Sequence, residues 1–257
     1  MSLSDSCCNT PPTNAEWERK GHDKVLLTKV HGEEQKVYRT GPKDSKYGII
    51  AVYDILGFHP TTYQFYDRLA TANGGFQVSA PYFFKKILPE SYIGNRPLAI
   101  AWIDDNANYK KNHYDDLIRA AVEDLRSDGC TTFSIFGQCW GTYISILAAS
   151  EDDSPFLAAG GPHPAMCTVE LVKNIKCPVI LLPAKDDDDM VGIPLVEEVN
   201  RKNFSTRSVH KRFTEVHHGW TGSRGDWSDP VQFRAGMEAV NMLAEFFVKV
   251  AENPEDK

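Results

Sequence analysis

Apolar positions along the chain fall into short blocks that switch between two periods. Gly48-Ile49-Ile50-Ala51-Val52-Tyr53-Asp54 is a nearly unbroken apolar run, the pattern of a strand covered on both faces. Gln77-Val78-Ser79-Ala80-Pro81 predicts a second strand, stopped by its proline, and Thr131 to Phe136 a third, rich in β-branched and aromatic residues. Pro178 to Pro183 and the alternating stretch Val209 to Val216 predict two more. Between them lie helical patterns at Thr61 to Ala72, Tyr114 to Ser127 and Tyr143 to Ala149, and Phe233 to Val250 closes the chain. The spacing of Leu117, Ala120, Ala121 and Leu125 is helical, and Gly129 ends that segment. A polar, alternating stretch from Val25 to Val37 predicts an N-terminal hairpin. Strands alternating with helices imply an α/β fold: a mostly parallel central sheet with helices on both faces, and a ligand site outside the carboxyl ends of the strands.

Composition narrows the class. The 257 residues fit one open-sheet domain, 42% of them are apolar and 25% charged, as in ordinary globular proteins. A net charge of −7 without a basic stripe argues against a nucleic-acid partner. No apolar stretch is long enough to span a bilayer, so no membrane association is expected. The polar start, Met1 to Asn14, lacks the apolar core of a secretory signal. Residues 1–20 are expected to form a mobile segment ahead of a domain spanning 21–257. Six cysteines without zinc-finger spacing suit a reducing compartment, which makes the expected location cytoplasmic. Cys7 and Cys8 read as tail thiols, since adjacent cysteines pair poorly with each other. Cys130, Cys167 and Cys177 read as packed, inert thiols.

Candidate chemistry centres on Phe136-Gly137-Gln138-Cys139-Trp140-Gly141-Thr142, which sits between a strand pattern and a helix pattern. That is the context of a nucleophile elbow, in which glycines flank a nucleophile held on a sharp turn, here with a thiol in place of the usual hydroxyl. A buried, unreactive cysteine would also satisfy the short motif, but two later strand ends support the catalytic reading. The strand at 178–183 leads into Asp186, Asp187, Asp188 and Asp189, and the one at 209–216 into His217-His218-Gly219-Trp220. Nucleophile, acid and histidine in that chain order, each after a strand, are the pattern of an α/β-hydrolase. An imidazole within reach of a thiol removes its proton and leaves the reactive thiolate. The backbone N–H groups of Trp140, directly after the nucleophile, and of Ile55 are the expected oxyanion donors.

The elbow, the acidic strand end, the His218-Gly219-Trp220 turn followed by Arg224-Gly225-Asp226, and the earlier Asp54-Ile55-Leu56-Gly57 resemble the dienelactone hydrolase family. The adjacent cysteines near the start are similar to those of its fungal and other eukaryotic members, and the resemblance runs from about Cys7 to the last helix. It implies a Cys-His-Asp triad that hydrolyses small esters and lactones through a thioester, without a metal or organic cofactor. Carried over, Cys139 is the nucleophile and His218 the base, preferred to His217 because Gly219 follows it. Asp187 orients the imidazole, with Asp186 and Asp188 as alternatives because a one-residue slip in an acidic run is not resolved by one sequence. Asp54 stands where the family holds the resting thiol or the histidine, although most bacterial members carry the longer glutamate there.

For substrate binding, the resemblance points to Arg224 and to the Lys85-Lys86 position where family members carry an arginine; apart from it, the aromatic residues Tyr82, Phe83, Phe84, Trp102, Trp140 and Trp220 are candidates to line an apolar pocket. For each ring, core packing is an equally good reading. His163, in Gly161-Pro162-His163-Pro164, stands where other members have His-Pro, and structural packing is its expected role. The expected partner is a small-molecule ester or lactone, with the chain a monomer or homodimer. Two other classes compete: a ligand-binding or signalling protein on a hydrolase fold with little turnover, and a cation site built on Asp186 to Asp189, which lacks the ligand spacing of a calcium loop.

Overall fold

A computed structural model describes residues 10–27 and 34–253. Eight strands form one sheet in the order β1-β2-β4-β3-β5-β6-β7-β8. β1 (His22–Leu27) and β2 (Glu34–Thr40) make the predicted hairpin, and β2 runs antiparallel to β4 (Gln77–Pro81). From β4 onward, β3 (Tyr47–Val52), β5 (Thr132–Gly137), β6 (Phe156–Pro162), β7 (Val179–Leu182) and β8 (Val209–His210) are all parallel. Parallel pairing requires crossovers, and these are supplied by α1 (Pro60–Thr71), α2 (Arg96–Asn106), α3 (Tyr114–Ser127), α4 (Trp140–Ala149), the single turn α5 (Val169–Val172) and α6 (Ile193–Val199). The chain ends in α7 (Pro230–Ala251), whose first turn is capped by the Asp229 carboxylate accepting from Val231 N.

Two apolar cores lie on opposite faces of the sheet. One packs Val52, Ile135 and Trp140 with α3 and α4, and the other packs Phe136, Ile180 and Trp220 with α1 and α7. The central strands β3 to β7 therefore bury both of their faces, which explains the unbroken apolar run of β3, whereas the edge strands β1 and β8 stay partly exposed. α3 is the most clearly one-sided helix, burying Leu117, Ala121, Val122 and Leu125 while Glu123 and Arg126 pair on its outer side.

Two expectations change. The strand predicted over Val209 to Val216 pairs as a ladder only at Val209–His210, with one further bridge between Ala184 and Phe213. β7 ends at Leu182, and Pro183, next in the chain, accepts from Phe213 N but has no N–H to return, which leaves only that single bridge beyond it. The N-terminal stretch set apart as 1–20 is bound to the domain over its described part. Thr13 N donates to Ser223 O, Trp17 Nε1 to Asp67, and His59 Nε2 meets Thr13 O. Residues 1–9, including Cys7 and Cys8, lie outside the described residues. No described helix is long and apolar enough to cross a membrane.

Candidate active site

The carboxyl ends of β3, β5, β6 and β7 converge on Cys139. At the elbow, Cys139 takes φ 56° and ψ −117°, a conformation that costs a residue with a side chain about 1–3 kcal/mol and that the surrounding packing must hold in place. The flanking glycines are required by distance. A Cβ on Gly137 would sit 2.0 Å from the Gly141 carbonyl carbon, and one on Gly141 would sit 2.3 Å from Val52 O. Strand, turn and helix can approach this closely only where both positions lack a side chain. The thiol consequently lies at the N-terminus of α4, where the helix dipole favours negative charge.

Asp187 is the one buried residue of its acidic run. Its Oδ1 lies 2.5 Å from His218 Nδ1, and its Oδ2 accepts from Ala184 N at 2.7 Å. Asp186 stays exposed and accepts the His218 backbone N–H at 2.7 Å, so neighbouring carboxylates hold the ring and the backbone of one histidine. Asp188 and Asp189 point outward, and Arg212 pairs with Asp189. With Nδ1 committed to Asp187, Nε2 is the nitrogen left for Cys139, which lines the same cavity; Nε2 is buried and has no hydrogen-bond partner among the described residues. Burial opposes charge on this imidazole, but the charges of Cys139 and Asp187 and the hydrogen bond to Asp187 outweigh it, holding its pKa well above the ordinary value. His217 turns away, its Nδ1 against His218 O.

The remaining predicted residues divide. Ile55 lines the small cavity over the thiol, together with Asp54, Leu56, Ser223 and Arg224. Among the described residues, neither Ile55 N nor Trp140 N meets an acceptor within the chain, as suits oxyanion donors. Asp54 does not hold the thiol or the histidine. Its Oδ1 accepts from Leu56 N, and its Oδ2 from Ser223 N and Oγ at 2.8 and 2.6 Å. The short aspartate thus fastens the loop after β3 to the loop after His218. Arg224 does reach the cavity, with Nε donating to Thr10 O at 2.7 Å.

Lys86 is exposed and outside this cavity, because Phe83 packs inward on Tyr53 and Trp140 and the chain then turns out. Trp220 is also absent from the cavity. It is fully buried in the opposite core, its ring 4.7 Å from that of Phe213. Phe84, Trp102 and Trp140 form an aromatic cluster in the first core, so packing is their role. Cys130, Cys167 and Cys177 are free and buried, and burial raises all three thiols, Cys130 to about 11. Among the described residues no His, Cys, Asp and Glu side chains gather into a metal-binding cluster.

A family model for the dienelactone hydrolases matches residues 36–251. The chain belongs to the dienelactone hydrolase family. An uncharacterized AIM2 family protein of Schizosaccharomyces pombe is 25% identical over 242 residues, covering 87% of this chain and 91% of the relative. Among solved structures, a Klebsiella pneumoniae protein assigned to the dienelactone hydrolases superposes with a TM-score of 0.62 at 16% identity, covering 86% of this chain and 98% of that one. The esterase Est22 superposes with a TM-score of 0.59 at 11% identity, covering 89% and 80%. The sheet is that of an α/β-hydrolase, and as a dienelactone hydrolase family member the chain is a hydrolase of ester bonds.

Sequence reasoning missed three residues of the site's frame. Ser223 donates to Asp54, Thr221 lies against His163, and Gln138, inside the elbow motif itself, donates to Thr221. Only Gln138 left a local signal, as a polar residue in a buried turn.

Proposed function

We propose that this family member hydrolyses small esters or lactones through a thioester on Cys139, with His218 as base and acid and Asp187 as the orienting carboxylate. The observation that supports the reading is the placing of His218, hydrogen-bonded to Asp187 through Nδ1 and lining one cavity with the elbow thiol, with Nε2 buried and unpartnered. The thiolate attacks the carbonyl carbon, a C–S bond forms, and the carbonyl electron pair moves to oxygen, facing the N–H groups of Ile55 and Trp140. Collapse of that oxyanion breaks the bond to the leaving oxygen, which takes the proton from His218. Water then attacks the thioester, loses its proton to His218, and expels the sulfur. A lactone gives the hydroxy acid by the same steps.

Arg224 is the permanently charged cation among the cavity's lining residues, which favours substrates carrying an anionic group beside the ester. The cavity is only about 10 Å³, room for about one water, so substrate entry requires its walls to part. Brief exposure to p-nitrophenyl acetate followed by mass spectrometry should locate an acetyl adduct on Cys139. The adduct and the nitrophenol burst should vanish in Cys139→Ala, and turnover in His218→Ala should fall by at least about 10³-fold. An unmodified Cys139, or a His218→Ala variant at parental rate, would reject the reading.

A further inference from the structure

His163 is fully buried beside the proposed nucleophile, its ring centroid 4.9 Å from that of His218. It stands at the end of β6 with φ 39°, in the left-handed region that a residue with a Cβ seldom adopts. Ordinary core packing does not require that conformation, nor an imidazole where an apolar ring would bury more cheaply.

The protonation of this ring follows from its neighbours. Gln138 Nε2 donates to Thr221 O at 2.5 Å and to Thr221 Oγ1 at 3.1 Å, which uses both amide hydrogens. The opposite amide orientation would set two carbonyl oxygens against each other. Thr221 Oγ1 therefore accepts from Gln138 and has one proton to give, and the acceptor within reach is His163 Nε2 at 2.9 Å. A neutral ring that accepts at Nε2 carries its proton on Nδ1. That atom is buried and has no hydrogen-bond partner among the described residues. The ring faces Cys139, and the loop that carries it is laced to the elbow on both sides, Cys139 N donating to Pro162 O at 3.4 Å and Ala165 N to Cys139 O at 3.2 Å.

We propose that His163 is a second, neutral hydrogen-bond donor to the Cys139 sulfur, held in the Nδ1–H tautomer by the relay Gln138 to Thr221 to His163. This rests on Cys139 being the nucleophile. The groups facing the ring are Cys139, His218 and Asp187. Burial and the nearby His218 keep His163 below the ordinary histidine pKa, against the pull of Cys139, so it holds its one proton rather than trading it. Its part in the reaction is consequently different from that of His218. When His218 has given its proton to the leaving oxygen, the sulfur keeps one donor. When the thioester collapses, that donor stabilises the departing thiolate. No proton moves onto or off His163 in either step.

The test is the pH dependence of Cys139 alkylation by iodoacetamide, with the modified residue mapped by mass spectrometry, in His163→Ala, His163→Asn and Thr221→Val. Loss of a hydrogen bond to a charged acceptor should move the alkylation midpoint of His163→Ala up by about one to two pH units. His163→Asn places an amide N–H near the lost Nδ1–H and tolerates the positive φ, so it should restore most of the shift. Thr221→Val, nearly isosteric, releases the tautomer and should shift the midpoint in the same direction. A parental midpoint in folded His163→Ala, or in Thr221→Val should His163→Ala not fold, overturns the proposal. Absence of label on Cys139 in the parent protein would instead overturn the assignment of the nucleophile.

Discussion

Replacing Asp187 by asparagine separates the carboxylate's role from its shape. One of its oxygens accepts the His218 Nδ1 proton, and the other accepts Ala184 N–H. A carboxylate satisfies two donors, whereas an amide has one oxygen and an NH2 group. The Ala184 N–H is part of the backbone and cannot become an acceptor, so the amide oxygen settles there and the NH2 turns to the imidazole. Nδ1 must then accept, the ring proton moves to Nε2, and the nitrogen facing Cys139 can no longer take a proton. Holding a catalytic histidine in the wrong tautomer lowers turnover by about 10⁴-fold, or about 5.4 kcal/mol. Asp186→Asn is the internal control. Asp186 accepts only the backbone N–H of His218, an amide oxygen replaces it directly, and the rate should stay within about tenfold of the parent. The assay is kcat/KM for p-nitrophenyl acetate between pH 6 and 9, with near-ultraviolet circular dichroism to verify folding. An Asp187→Asn variant within about tenfold of the parent, or a larger loss in Asp186→Asn, would refute the reasoning.

Two further outcomes concern the frame around the site. Gly161→Ala would place a Cβ 1.9 Å from Gly137 O at φ 148°, directly under the elbow, and should lower stability by more than about 3 kcal/mol in urea denaturation. Gly74→Ala, at φ 91° with no atom within 4 Å, should cost only about 1–2 kcal/mol, and equal losses would contradict the packing argument. Acid should also destabilise the protein through two histidines whose folded pKa is depressed by burial, His59 and His163. Their contribution is complete above the unfolded value of about 6.5 and is lost as pH falls through the folded values. His218, raised in the fold, acts in the opposite sense and loses its contribution only as pH rises through its folded value. Urea midpoints should therefore drop between pH 7 and pH 5, and by less in His59→Asn, which keeps an acceptor for Thr61 N. A flat profile over that range would contradict the burial argument.

The central strands and the elbow were legible because their signals are local. A run such as Ile49 to Val52 has little choice but a strand buried on both faces, and glycines on either side of Cys139 allow a turn that other residues would block. The place of the acidic run just beyond β7 was legible, but which of its aspartates turns inward was not, and Asp187 is the buried one. What escaped depends on contacts across the fold. α2 went unread because Leu98 and Ile100 are half exposed, which blurs its apolar face. Asp54 finds Ser223 across 169 positions and His163 finds Thr221 across 58, and no spacing rule records such pairs. Trp220 and Lys86 stand in the expected segments with their side chains elsewhere. One sequence gives the order of residues along a loop but not the direction each side chain takes once its neighbours are packed.

The ends of the chain differ in their bearing on chemistry. α7 finishes on the side where β3 begins, with Tyr47 Oη reaching Glu252 at 3.4 Å, far from the thiol. The first described residue, Thr10, is fastened to Arg224 beside it. An affinity handle joined after α7 would leave the entrance alone, whereas the same handle placed before Met1 would be tethered through nine residues to Thr10, beside the cavity. Preparations that differ only in tag position are therefore not interchangeable for kinetics.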